Sequence, residues 1–168
     1  EWIKAGKIGQ LVMCQGSYMR NTPKGEWNFA PTAPWTDRSK ASKDEINWAL
    51  WVGNLIKTKK DFSPEDYFRW RKYYRYCAGV LGDLFPHKLH PYMLATGNPE
   101  FPKRVAALGS KPVHTDKFSE VPDRDSPEIL QLIAEFPSGM VMHITSSTVN
   151  EQGTQEMMRG SKATLTLG

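Results

Sequence analysis

Asp83, His87 and His90 combine residue types and a spacing that can do acid–base chemistry. They stand at offsets of four and seven within residues 69–90. A helix turns about 100° per residue, so the three side chains would fall within roughly 60° of one another on one face. A carboxylate one turn ahead of a histidine can orient the imidazole and hold its proton, which is what a general base needs. The same spacing also fits a helix histidine that is merely satisfied by its neighbour. Three ligands on one face would suit zinc. Histidine pairs on helices are common, however, and the sequence shows no partner for their outer nitrogens, so no metal is expected.

Further candidates flank this face. Trp70, Arg71, Lys72 and Tyr74 precede it, and forked donors beside aromatic faces suit a polyol or an acidic sugar. They read equally as aromatic core contacts with solvated cations. Tyr18, Arg20 and Asn21 end the first strand candidate, where a polar trio can face a pocket. His114 and His143 read as structural, and the methionines Met13, Met140, Met142, Met157 and Met158 as core or interface filling. Arg69, Arg71, Lys72 and Arg75 form a basic cluster interleaved with aromatics. With 22 basic against 18 acidic residues and no nucleic-acid motif, no nucleic-acid partner is expected.

Several elements must position these residues. Residues 8–20 read as a strand. Residues 21–43 form a long loop rich in Pro, Lys, Ser and Thr with isolated aromatics Trp27, Phe29 and Trp35; a loop of this length is either functional or an ordered excursion pinned by its aromatics. Ser42 with Glu45 fits a capping box opening a helix through Trp51, with Gly53 as its stop. Ser63-Pro64-Glu65-Asp66 is a stronger start, predicting a helix to about Tyr74. The next helix carries the Asp/His face and stops at Gly97. Pro86 either kinks it or opens it, leaving Asp83 in the entering turn.

The second half reads as sheet. Arg104–Gly109 is a short strand. Leu130, Leu132, Ala134 and Phe136 alternate with more polar positions, Pro137-Ser138-Gly139 turns, and Met140–Val149 returns as the hairpin partner. Residues 157–159 and 162–167 make another hairpin. Strand, helices, then consecutive strands predict an α+β fold: an open, mostly antiparallel sheet with helices packed on one face.

The bulk composition narrows the function. At 168 residues the chain suits a single domain, and 39% hydrophobic with 24% charged residues is globular. No apolar run approaches the ~20 residues of a membrane span, so no membrane partner is expected. Net charge is +4 and pI about 9.0. Cys14 and Cys77 have no metal or disulfide spacing; reduced thiols favour a cytoplasmic location. Glu1–Gly6 reads as the last turn of a helix, so a preceding domain and any targeting segment are expected to be missing, as are strands beyond Gly168. No two of the 13 glycines are separated by one residue, which rules out Gly-x-Gly-x-x-Gly, and no phosphate-cradling Gly-x-x-x-x-Gly-Lys occurs. The chain is not expected to bind a dinucleotide by itself.

Read together, Ala5-Gly6-Lys7-Ile8-Gly9, Trp70-Arg71, Ala78-Gly79, Asp83-x-x-x-His87, Phe136-Pro137-Ser138-Gly139 and Arg159-Gly160-Ser161-Lys162-Ala163-Thr164-Leu165 resemble, in that order, the C-terminal domain of the glucose–fructose oxidoreductase, inositol dehydrogenase and MocA-type oxidoreductases. The resemblance covers nearly the whole chain. It implies a glyceraldehyde-3-phosphate dehydrogenase-like C-terminal domain that lines the substrate pocket beside an N-terminal Rossmann domain, with NAD or NADP bound mainly by that missing domain. It further implies a sugar or polyol substrate, His87 as general base, Asp83 orienting it, and a homo-oligomer formed through the open sheet face. The family's Glu-Lys-Pro segment occurs nowhere here. Cys77-Ala78-Gly79 stands in place of a glycine triplet, Phe85 in place of a glycine, and His90 in place of an acid or amide. His90 bears on substrate recognition, either by bonding a sugar hydroxyl or by marking altered chemistry. The departures keep open a stand-alone non-catalytic binding or dimerisation module, and a cofactor-assisted glycosidase.

Overall fold

A computed structural model describes residues 1–28, 44–54, 61–114 and 124–167, together with the backbone of 32–33 and 36–37. Phe29, Trp35 and Ser42, and with them the proposed capping box, lie outside the described residues.

The sheet is built from β1 (Leu11–Asn21), β4 (Arg104–Ser110), β5 (Ile129–Glu135), β6 (Val141–Ser147), β7 (Val149–Asn150), β8 (Glu156–Gly160) and β9 (Thr164–Leu167). Two short strands, β2 (Thr32–Ala33) and β3 (Thr36–Asp37), pair separately. The seven-stranded order is β4-β5-β6-β1-β8-β9, with β7 beside the end of β1. The β5–β6 and β8–β9 hairpins pair antiparallel, as their tight turns predict. At the first, Gly139 takes φ 84° and donates its amide to the Phe136 carbonyl. The β1–β6 pairing, in contrast, is parallel. The sheet is therefore mixed, though mostly antiparallel, as expected of an open α+β sheet.

Alternation divides the two faces. Ala134, Met142, Cys14, Met158 and Leu165 lie side by side across five strands. All but the half-buried Leu165 are buried. Leu81, Phe85, Leu89 and Met93 pack on this row from above, so the helices cover one face. Burial pushes the Cys14 thiol up to about 12, an inert core position. The other face carries Leu108, Ile133, Gln15 and Met157, with Leu108 76% and Ile133 51% exposed.

The helices are shorter than the sequence predicts. α1 is Trp48–Val52, capped by Asn47, whose side chain accepts from the Leu50 amide; Gly53 ends it. Among the described residues of the helix expected from Ser42 through Trp51, the helical turns begin only at Trp48. α2 is Pro64–Phe68, and Ser63 Oγ accepts from the Asp66 amide at 3.2 Å as the motif predicts. It stops at Phe68 rather than near Tyr74. A 3₁₀ turn at Trp70–Lys72 follows and carries the Lys72 ammonium back onto Glu65, 3.0 Å away. α3 is Val80–Asp83 and α4 is Pro86–Thr96, with Pro86 at the first helical position. Gly97 closes α4 with φ 72°.

Candidate active site at the start of α4

α4 is tied to the sheet at two points. The Tyr92 hydroxyl donates to the Gln15 carbonyl at 2.7 Å. A Cβ at position 16 would overlap that hydroxyl, so only glycine allows the contact. Burial raises the Tyr92 phenol well above its ordinary value, keeping it a donor. Lys88, one turn earlier, reaches Glu156 on β8 and lies 5.9 Å from the Tyr18 ring centroid. These two ties place the first turn of α4 over the end of β1.

His87 is in that turn and is exposed. Its ring lies 6.4 Å from the Tyr18 ring. Arg20 donates to the Tyr18 hydroxyl at 3.3 Å and pairs with Glu26, which Thr22 also bonds. Burial works against the Arg20 charge, but Tyr18 and Glu26 outweigh it and hold its pKa above the ordinary value. Tyr18 thus has basic side chains on several sides: Arg20, Lys88 and His87. Pro91 adds a further detail. It sits four residues after His87 and has no N–H, so the His87 carbonyl lacks its helical donor.

Below Tyr18, Trp27 packs with Val80 and Leu84 and holds a left-handed φ of 64°, rare for a bulky residue. The loop carrying it is anchored by a buried cluster. Glu128 accepts from the Val113 and His114 amides at 2.9 Å, and His114 Nδ1 lies 2.7 Å from the same carboxylate. His114 Nε2 lies 3.1 Å from the Pro23 carbonyl. His114 is structural, as its sequence context suggests.

The remaining candidates divide. Asp83 ends α3, and no hydrogen bond or ion pair joins it to His87. Its carboxylate lies 2.8 Å from Arg71 Nε. The guanidinium also stands 4.3 Å from the Trp70 ring centroid. The chain therefore forms two helices here instead of one Asp/His face, with Pro86 starting the second. His90 is exposed one turn beyond His87. Asn21 is exposed at the strand end and pairs with Val149. Tyr74 is exposed, and its amide donates to Asp125 at 2.6 Å. Lys72 is 0% exposed and committed to Glu65, which leaves it no surface for a ligand. Among the described residues no three of His, Cys, Asp and Glu converge as metal ligands. No helix among them is long and apolar enough to cross a membrane.

Sequence reading missed Lys88, Glu26 and Pro91. Lys88 had a signal, its position beside His87. Glu26 had only its place in a turn after Arg20.

Neither a protein-family model nor a curated protein matches the sequence. Solved structures do. An oxidoreductase from Thermotoga maritima is 16% identical, with TM-score 0.55, over 100% of this chain and 37% of its own. An NAD binding oxidoreductase from Klebsiella pneumoniae is 17% identical, with TM-score 0.58, over 99% and 35%. Levoglucosan dehydrogenase, solved with NADH and levoglucosan, is 16% identical, with TM-score 0.53, over 99% and 35%. The chain thus spans about a third of each of these proteins. At such identity the likeness is one of fold: an α+β domain shared with oxidoreductases of the type its motifs resemble.

Proposed function

We propose that this chain is the substrate-binding domain of an NAD(P)-dependent oxidoreductase acting on a sugar or polyol hydroxyl. The observation that carries the reading is the exposed His87 imidazole at the start of α4, beside Tyr18 and Arg20 at the end of β1. A levoglucosan complex in a structure of the same fold supports the substrate class.

The described residues do not fit a dinucleotide. β1 leads into a loop held by Glu26 rather than a glycine-rich turn into a helix, and β6 leads into β7. The redox half of the reaction belongs to a nucleotide held by another domain. This chain's part is to bind the substrate, to orient it and to take a proton. His87 accepts the hydroxyl proton, and Arg20 with the Tyr18 hydroxyl anchors neighbouring oxygens. Asp83 holds the guanidinium of Arg71, itself a candidate for binding the substrate, through their ion pair. Leu108 and Ile133 on the uncovered face serve a homo-oligomer contact.

The test uses the chain joined to its dinucleotide-binding domain. His87→Ala should lower turnover of levoglucosan or another accepted polyol by about 10²–10⁴-fold. NADH binding, followed by its fluorescence, should persist. Unchanged turnover removes His87 from the mechanism.

A further inference from the structure

Thr145, Ser146 and Ser147 end β6, Thr148 follows them, and all four hydroxyl residues are buried. Three have clear partners. Thr145 Oγ1 accepts from Gln131, Ser147 Oγ accepts from the Val149 and Asn150 amides, and Thr148 Oγ1 donates to the Glu128 carbonyl. Ser146 is 4% exposed, and its Oγ is inaccessible and without any hydrogen-bond partner. Buried hydroxyls in folded proteins are almost always paired, so an unpaired one calls for a reason.

Its surroundings supply one. Ser146 lies beside Tyr18 on β1 and Leu130 on β5, on the helix-covered face. With Tyr18, Leu81, Phe85, Leu130 and Ile144 it walls a cavity of about 10 Å³. That is space for about one oxygen-sized group. Apart from Tyr18, the rest of this wall is apolar side chain. The cavity and the proposed site share Tyr18, which walls the one and whose ring lies 6.4 Å from the His87 ring of the other. It is too small for a sugar ring, yet it fits a single hydroxyl projecting from one.

We infer that Ser146 is a specificity-determining residue that receives one hydroxyl of the substrate in this cavity. This rests on the oxidoreductase reading above. The serine hydroxyl can accept from and donate to an alcohol, and a ligand that lacks that oxygen leaves the buried Ser146 hydroxyl unpaired.

The experiment compares wild type, Ser146→Ala and His87→Ala, each joined to the dinucleotide-binding domain. The probes are levoglucosan, L-sorbose and D-glucose, followed by the monodeoxy analogues of whichever is oxidised best. Wild type should reject one monodeoxy analogue by about a hundredfold or more in kcat/KM. Ser146→Ala should reduce that preference to about threefold, mainly through KM for the parent sugar. Its melting temperature should not fall, because the hydroxyl it removes has no partner in the folded chain. Preference unchanged in Ser146→Ala, with turnover still dependent on His87, overturns the role of Ser146 alone. A lower melting temperature also overturns it, by showing a structural partner. If wild type oxidises none of the probes, this inference and the reading beneath it fall together.

Discussion

The Tyr92 hydroxyl and the Gln15 carbonyl, 2.7 Å apart, set the height of α4 above β1. His87 occupies the first turn of that helix, so this bond and the glycine beneath it govern where the imidazole stands. Tyr92→Phe removes the donor without changing shape and should cost about 1 kcal/mol in urea unfolding. Gly16→Ala drives a methyl into the ring and should cost about 1–3 kcal/mol. Loss of stability in neither variant would show that α4 is held from elsewhere.

Asp83 and Arg71 should behave as a pair. If Asp83 acts through Arg71, then Asp83→Asn and Arg71→Met each lower turnover, and the double variant is no worse than either alone. Kinetics of the domain-joined protein supply the cycle. Additive losses would mean that Asp83 works on something other than Arg71.

Lys72 and Glu65 predict a pH dependence. Burial opposes the Glu65 charge, but the bond and charge of Lys72 prevail and lower the carboxyl pKa. A depressed carboxyl stabilises the fold above its unfolded value, about 4.3, and that contribution is lost as pH falls through the depressed value. Burial lowers the Lys72 pKa despite Glu65. A depressed lysine costs stability while charged, and the cost fades as pH rises from its folded towards its unfolded pKa, about 10.4. Glu65→Gln should flatten the acid limb of the stability profile and cost about 1–3 kcal/mol at neutral pH, because it strands a buried ammonium. Lys72→Met should stay within about 1 kcal/mol of the parent or exceed it. The reverse ranking would contradict the burial of Lys72.

The uncovered face should be where copies meet. Leu108→Lys and Ile133→Lys lie on a solvent-facing surface and should leave the circular dichroism unchanged. Light scattering should report a drop to a single chain. An oligomer that survives both changes uses another surface.

Local signals in the sequence were readable where one segment decides the outcome. Leu130, Leu132 and Ala134 point one way because strands alternate, and Ser63 caps because its partner amide is three residues on. Gly97 stops α4 for the same kind of reason. What depends on distant partners was not readable. A lysine among arginines reads as solvated, yet Lys72 is drawn inside by a carboxylate seven positions back. The parallel pairing of β1 with β6 joins segments over a hundred residues apart, and no pattern within either strand specifies it. At the site, Asp83 and His87 stood out by type. The surroundings of Tyr18 and the solitary state of Ser146 exist only once three strands are side by side.

That arrangement bears on how the chain assembles. β1 comes first in sequence but sits mid-sheet, with Met142 on one flank of Cys14 and Met158 on the other. Neither neighbour exists until over a hundred residues beyond β1 have left the ribosome, so the apolar side of β1 must wait uncovered. Loops this long close slowly. A chain cut short before β8 would leave that strand with an open edge, and such a nascent species is the one a chaperone should hold.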